Sequence, residues 1–332
     1  MLRPVKIVGS GKYLPKRKVS AKEIGARIGA SEAWVMRHSG VQTRYFSDYK
    51  LETSTYMGAE AAKNAIKNAN IDPNKIDLVI SASGVAQQPI PCNAVFIQKH
   101  LNLEKNQVPC FDINSTCLSF VTALNVCSHL LKSGEYRYIL LVASDIASVG
   151  INWKNKESAC LFGDGACAVV LEADQEQKSG VLAHKMISLG QHSEICKIGG
   201  GLSKIHASHY KEENRDDFLF HMEGTRLFKI SSQRLPQLIN EVLAPFKKTI
   251  TDIDFVIPHQ ASQPGLRIIQ KKLKIENKRF GSIIEDYGNI IAASIPLTLH
   301  ELYTQNKFTR GQELLIVGTS AGLSMGVMLL RF

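Results

Sequence analysis

In "FDINSTCLSF", Phe111–Phe120, an apolar strand end stops at Asp112, small polar residues follow, and Cys117 opens a long apolar segment. Leu118, Val121, Leu124 and Leu131 give that segment a helical pattern with little polar surface, broken at Lys132-Ser133-Gly134. Such a helix is buried. Its N-terminus turns free N–H groups and partial positive charge on whatever sits there. A thiol in that place is expected to have a lowered pKa and to act as a nucleophile. The competing reading is that Cys117 fills core space, as free cysteine commonly does. The other six cysteines are assigned to that role.

Two further polar residues stand where apolar runs end. His259 follows the strand-like "FVIP", with Gln260 next to it, and polar residues directly after a buried strand are well placed at a crevice. A hydrogen-bonded histidine at a strand end fits the same pattern. Asn289 lies in "EDYGNIIAASIP", where Gly288 permits an unusual backbone and a helix-like segment follows. A turn asparagine capping that helix is the plainer reading of this pair. Two glycine-rich stretches, "FGDGACAVVLE" and "GTSAGLSMG", match neither dinucleotide-binding nor P-loop spacing. The second can present a backbone N–H to a developing oxyanion.

The elements that must position these residues alternate between β-rich apolar runs and helix-length segments, the mark of α/β layers with buried sheets. The two halves echo each other in order. "NIDPNKIDLVISAS" resembles "KTITDIDFVIPHQAS", "YRYILLVASD" resembles "QELLIVGTSAG", and "DGACAVVLEAD" resembles "GLSMGVMLLRF". Three matches in one order predict two copies of one unit, an N-terminal half over 1–175 and a C-terminal half over 176–332. Packed copies place strand and helix ends at a shared crevice.

Composition narrows the classes. The chain has 332 residues, 44% hydrophobic and 21% charged, which is globular and long enough for one large domain or two packed halves. No apolar run is long enough to insert in a membrane. "MLRPVKIVGSGKYLP" leads directly into a strand-like run, with no signal-peptide core. Seven cysteines, an odd number, predict a reduced, cytoplasmic protein. No C-x-x-C or H-E-x-x-H spacing occurs, so no metal is expected. The net charge of +10 is scattered, with clusters at Lys271–Lys274 and Lys278–Arg279 and no aromatic-basic motif. That argues against nucleic acid and for an acidic protein partner or plain solubility.

Together, "SEAWVMRHSGVQTRYF", "FGDGACA", "FHMEGTRLFK", "IPHQAS" and "YGNIIAASIP" occur in an order that resembles the thiolase superfamily, specifically the β-ketoacyl-ACP synthase III family. The resemblance covers essentially the whole chain. It implies a five-layer αβαβα thiolase fold of two similar halves, usually a homodimer. It implies a Cys-His-Asn set of Cys117, His259 and Asn289. Cys117 would take an acyl group from acyl-CoA or acyl-ACP as a thioester. His259 and Asn289 would bind a malonyl thioester and stabilise the enolate left by decarboxylation, for a Claisen condensation in fatty acid or related synthesis. The N–H groups of Cys117 and Ala321 would form the oxyanion hole. The substrates are thioesters, and no cofactor is implied.

The resemblance also implies contacts for the substrates. Trp34 matches a tryptophan that stacks on the CoA adenine. His38 falls at the position of its arginine partner, with Arg37 beside it, and Lys156 replaces a second CoA-contacting arginine. The basic patch that follows the family's histidine is matched by Lys271 and Lys272, to which Arg267 adds one turn earlier, as a docking site for acyl carrier protein. Pro264 stands where the family has an arginine central to that docking. Ile90 matches a gate position, often phenylalanine, and "NIIAAS", with Ile290 and Ile291, replaces a usually small "NTSAAS", which implies an altered acyl pocket; Ile90 and Ile290 are assigned to it. "SAGLSMG" replaces a more glycine-rich loop. Two other readings stay in view. One is a relative that joins two acyl-CoAs or acylates an alcohol or amine. The other is a non-catalytic subunit of a heteromer, against which the retained Cys117 argues.

Overall fold

The computed structural model describes residues 2–332. The chain begins with β1 (Arg3–Pro4), β2 (Lys6–Tyr13) and β3 (Arg17–Ser20), then α1 (Ala21–Ile28), α2 (Glu32–Ser39) and β4 (Thr43–Phe46). It continues through α3 (Ser54–Ala69), β5 (Leu78–Ser81), α4 (Asn93–His100), β6 (Cys110–Asp112), α5 (Ser119–Ser133), β7 (Tyr138–Ile146), α6 (Lys156–Ala159) and β8 (Asp164–Glu172). The second part holds β9 (Gly180–Ser188), β10 (Cys196–Lys197), β11 (His221–Met222), α7 (Gly224–Leu243), β12 (Phe255–Pro258) and α8 (Gln263–Lys272). It closes with α9 (Ile284–Tyr287), α10 (Ser294–Thr304), β13 (Glu313–Ser320) and β14 (Ser324–Arg331).

Two five-stranded sheets follow one plan. The first runs β2-β8-β7-β5-β6 and the second β1-β9-β14-β13-β12. β5 pairs parallel with β7 as β12 does with β13, and β7 pairs antiparallel with β8 as β13 does with β14. The three echoed segments therefore lie on corresponding strands. A parallel bridge from Val256 to Phe280 takes the place that β6 has beside β5. The short β1 departs from the symmetry, because Arg3 and Pro4 pair with β9 in the second sheet.

The central strands are apolar because both faces are covered. All nine residues of β7 are buried. Helices α3 and α4 cover the outer face of the first sheet, and α7 packs outside the second. Between the sheets lie α5 and α10, which touch each other and strands of both sheets. That is the αβαβα order. In α10 every residue from Ser294 to Leu302 is buried, as a helix between two sheets must be. α5 ends at Gly134 in the left-handed region, where the predicted Lys132-Ser133-Gly134 break falls.

Parallel pairing points β5, β7, β12 and β13 so that their C-terminal ends open at one crevice. Gly84 and Val85 follow β5, Asp145 stands near the end of β7, His259 follows β12, and Ala321 follows β13. Cys117 reaches the same place from the turn before α5.

Candidate active site

A cavity of about 920 Å³ opens at this crevice, and Cys117, His259, Asn289 and Ala321 all line it. Its other walls are mostly apolar, among them Val149, Phe220, Phe228 and Leu266.

Cys117 is the middle residue of a 3-10 turn, Thr116–Leu118, that leads into α5. The turn is pinned from both sides. Ser119 Oγ accepts the Ser115 N–H at 2.9 Å and donates to the Thr116 carbonyl at 2.7 Å. Ser320 Oγ donates to the Ser115 carbonyl at 2.8 Å, which ties the end of β13 to this turn. Burial among apolar walls pushes the Cys117 thiol well up, and nearby Cys196 and Asp145 add to the rise. The N–H groups of Ala321 and of Cys117 itself pull the other way. The expectation of a lowered thiol pKa is thus not met. The 3-10 turn and the loop after β13 each supply an N–H donor at the sulfur, but desolvation of the thiolate outweighs them. The same two N–H groups are the pair expected to face an oxyanion.

His259 is 6% exposed and continues the β12 ladder through its N–H to the Val317 carbonyl at 2.8 Å. Burial pulls its imidazole down to about 4, so the ring is neutral at pH 7. Its Nδ1 has no hydrogen-bond partner among the described residues.

Asn289 is held by backbone on both sides. Its N–H donates to the Leu161 carbonyl at 2.9 Å, and its carbonyl accepts the Gly163 N–H at 3.1 Å. Gly288 makes this possible. It has φ +71°, and a Cβ there would lie 2.8 Å from the Leu161 oxygen. The Asn289 side-chain Oδ1 accepts the Ile291 N–H at 2.9 Å. With its oxygen occupied, the amide is left with N–H donors to offer. The site therefore brings together a thiol, a neutral imidazole, an amide turned as a donor, and two backbone N–H groups.

The remaining expected contacts divide. Arg37 and His38 line the cavity, whereas Trp34 and Lys156 do not. The His38 ring stacks on Trp34 with centroids 3.9 Å apart, and His38 Nδ1 meets the Trp34 carbonyl at 2.8 Å. One face of the indole is thus already covered. Lys156 Nζ donates to the Gly29 carbonyl at 3.0 Å. One acyl-pocket assignment is corrected. Ile290 is fully buried among Ala143, Cys167, Ile283, Ala293 and Leu297, away from the cavity, and its neighbour Ile291 lines the wall instead. The backbone turn at Ile291 sends the two side chains to different sides. Ile90 is 82% exposed and does not line this chain's cavity. Arg267 and Lys271 lie exposed on α8, whose Pro264, Gly265 and Ile268 line the cavity, while Lys272 donates to the Ser232 carbonyl.

Three family models match the chain. That for 3-oxoacyl-[acyl-carrier-protein] synthase III matches residues 111–190, its C-terminal counterpart matches 244–332, and the thiolase N-terminal domain matches 39–148. The β-ketoacyl-[acyl-carrier-protein] synthase III of Coxiella burnetii (strain Dugway 5J108-111) is 33% identical over 326 residues, covering 98% of each chain. The chain belongs to the β-ketoacyl-[acyl-carrier-protein] synthase III family. The enzyme of that name from Aquifex aeolicus (strain VF5) is 32% identical over 327 residues, covering 98% of this chain and 99% of its own. The crystal structure of the Aquifex aeolicus VF5 synthase III superposes with a TM-score of 0.88 at 32% identity, over 99% of this chain and 100% of that one. The Pseudomonas aeruginosa PAO1 synthase III also gives a TM-score of 0.88, at 26% identity, over 99% of this chain and 98% of that one. The chain has the thiolase fold and is a condensing acyltransferase. Among its described residues no helix is long and apolar enough to cross a membrane.

One residue of the site escaped sequence reasoning. Asp145, fully buried, accepts four backbone N–H bonds at the crevice. Its signal was present: a lone carboxylate near the end of an otherwise apolar strand must find partners. Ile291, marked with Ile290 by the departure from "NTSAAS", lines the cavity and holds the Asn289 amide, but its φ of +44° is not legible in the sequence.

Proposed function

We propose that Cys117 is the nucleophile and that His259 and Asn289 serve the condensation. The observation that carries this is the convergence of Cys117, His259 and an amide-donating Asn289 on one apolar cavity, with the Ala321 N–H at the sulfur. The Cys117 thiolate attacks an acyl thioester. The acyl C–S bond breaks, and the released thiol, CoA or carrier-borne, takes up the proton that Cys117 gave up. The acyl group waits as a thioester on Cys117, which divides a hard condensation into two easier steps. A malonyl thioester then binds with its carbonyl oxygen facing His259 and Asn289. Its C–C bond to the carboxylate breaks, CO₂ leaves, and the bonding pair becomes an enolate whose oxygen these two donors stabilise. A neutral His259 suits this role, because it donates without competing for the charge. The enolate carbon attacks the acyl carbonyl, whose developing oxyanion meets the N–H groups of Cys117 and Ala321. The Cys117 C–S bond breaks and the thiolate is regenerated.

The donor is acyl-CoA or acyl-ACP and the acceptor malonyl-ACP or malonyl-CoA, in fatty acid or related polyketide-type synthesis. The apolar walls suit an alkyl chain, and the thioester chemistry needs no cofactor. Arg37 and His38 are the contacts nearest a CoA at the cavity. Exposed Arg267 and Lys271 on α8, with Lys272 beside them, form a basic face for an acidic carrier protein. We also propose the two halves 1–175 and 176–332, a homodimer and a cytoplasmic location.

The test is intact mass after incubation with a panel of acyl-CoA and acyl-ACP donors, followed by malonyl-ACP and detection of a β-ketoacyl product. Acylation lost in Cys117→Ser and product lost in His259→Ala, with capture retained, are the expected results. Failure of every donor to acylate Cys117 refutes the nucleophile. Acylation without malonyl-dependent product points instead to simple acyl transfer.

A further inference from the structure

We infer that Asp145 is a positioning residue that aims the Asn289 amide, by tying a loop of the first sheet to the turn that follows Asn289. The inference rests on the roles proposed above for Asn289 and Cys117. Asp145 Oδ1 accepts the N–H groups of Gly84 and Val85, both at 2.8 Å. Its Oδ2 accepts those of Ala292 at 3.0 Å and Ala293 at 3.3 Å. One side chain, with no exposed surface, therefore bridges two segments far apart in the chain. Burial pushes its carboxyl up to about 7, and the four N–H donors pull against that rise. A carboxyl proton would have to point at one of those donors, so the geometry fits the ionised form.

What the bridge brackets is strained. Thr116 and Ile291 have φ of +52° and +44°. β-Branched residues hold that conformation only where the surroundings impose it. Gly84 is wedged between them: a Cβ there would lie 2.5 Å from Ile291 Cγ2 and 3.3 Å from the Thr116 oxygen. Ile291 in turn supplies the N–H that turns the Asn289 amide. Asp145 grips the two N–H groups directly after Ile291 and anchors them to Gly84 and Val85. Without it, the Ile291 turn relaxes and the Asn289 donors lose their aim.

The experiment compares wild type, Asp145→Asn, Asn289→Ala and the double variant in two single-turnover steps. One is acylation of Cys117, read by intact mass with the fastest acyl-CoA of a panel of chain lengths. The other is product formation on adding malonyl-ACP. The amide introduced by Asp145→Asn offers one oxygen and turns its NH₂ on two N–H donors, so one half of the tie breaks. The expected result is acylation within about 3-fold of wild type and condensation lower by about 100-fold, the scale of an ångström misplacement. The double variant should condense no more slowly than Asn289→Ala alone, because residues acting through one another are not additive. Unchanged condensation in Asp145→Asn, equal loss of both steps, or losses that multiply in the double variant each overturn the inference. If Asn289→Ala condenses normally, the proposed role of Asn289 fails and the inference falls with it. If only Asp145→Asn condenses normally, the role of Asn289 stands and the inference alone is lost. Should Asp145→Asn not fold, wild-type amide hydrogen exchange decides. Gly84, Val85, Ala292 and Ala293 should exchange slowly and as one group, and fast exchange at Gly84 or Ala292 overturns the tie.

Discussion

Gly318, in β13, is the position where the smallest possible change should separate the two chemical steps. A Cβ built there lies 3.0 Å from His259 Cβ and 3.0 Å from Leu118 Cδ2, with Ile295 Cδ1 at 3.6 Å. Carbon atoms settle at about 3.5–4.0 Å, so a methyl needs roughly half an ångström more on each side. Leu118 meets it with the end of a side chain that can rotate. His259 meets it with Cβ, next to a backbone held by the Val317 carbonyl, and cannot swing aside. The displacement therefore falls on the imidazole. Gly318→Ala should cost about 1–3 kcal/mol of stability through overpacking. Because a shift of about 1 Å can cost about 100-fold in rate, condensation should fall by about 10- to 100-fold. Acylation of Cys117 should change by less than about 3-fold, since His259 takes no part in the proposed capture. Gly326→Ala is the control. The three atoms nearest its Cβ would all belong to Leu118, at 3.3, 3.4 and 3.9 Å, so it should lose stability without a selective loss of condensation. Single-turnover capture and condensation, with a melting curve for each variant, decide the matter. Wild-type condensation in a folded Gly318→Ala protein, or a selective loss as large in Gly326→Ala, would refute the reasoning.

Other outcomes follow from the same geometry. Because burial holds the Cys117 thiol above its ordinary range, its alkylation by iodoacetamide should still accelerate above about pH 9; a plateau near neutrality would show that the helix end dominates after all. His259, held near 4, should stay neutral and leave condensation flat down to about pH 5.5 by this group, which an NMR titration of the ring checks directly. The sign for stability is fixed too. The folded pKa lies below the unfolded one, so the native state binds fewer protons between about 4 and 6.5, and this residue's contribution weakens as pH falls through that window. Reversing charge in Arg267→Glu with Lys271→Glu should lower kcat/KM for carrier-borne malonate by about 10-fold at low salt and spare malonyl-CoA; equal loss for both acceptors would place the effect in the cavity and not on α8.

The amino-acid sequence by itself determined the layers, the duplicated plan and the candidates for the reacting groups. Central strands such as β7 are apolar almost without interruption, and that pattern has no other use than burial between helices. The echo between halves survived because each copy must fill the same place in its sheet. Cys117, His259 and Asn289 stood out because each polar side chain interrupts an apolar run, which local sequence records. Tertiary structure alone decided how those groups behave. The thiol is raised and not lowered, because desolvation depends on walls contributed by α7, α8 and β10 far along the chain. Ile290 turns into the core and Ile291 into the cavity, because a left-handed backbone reverses an order that alternation cannot foresee. Asp145 acts across the molecule, because its four partners come from segments brought together only when the halves pack. The sequence names the candidate groups. The aim and charge of each are set by contacts with residues distant in the chain, and those exist only in the folded molecule.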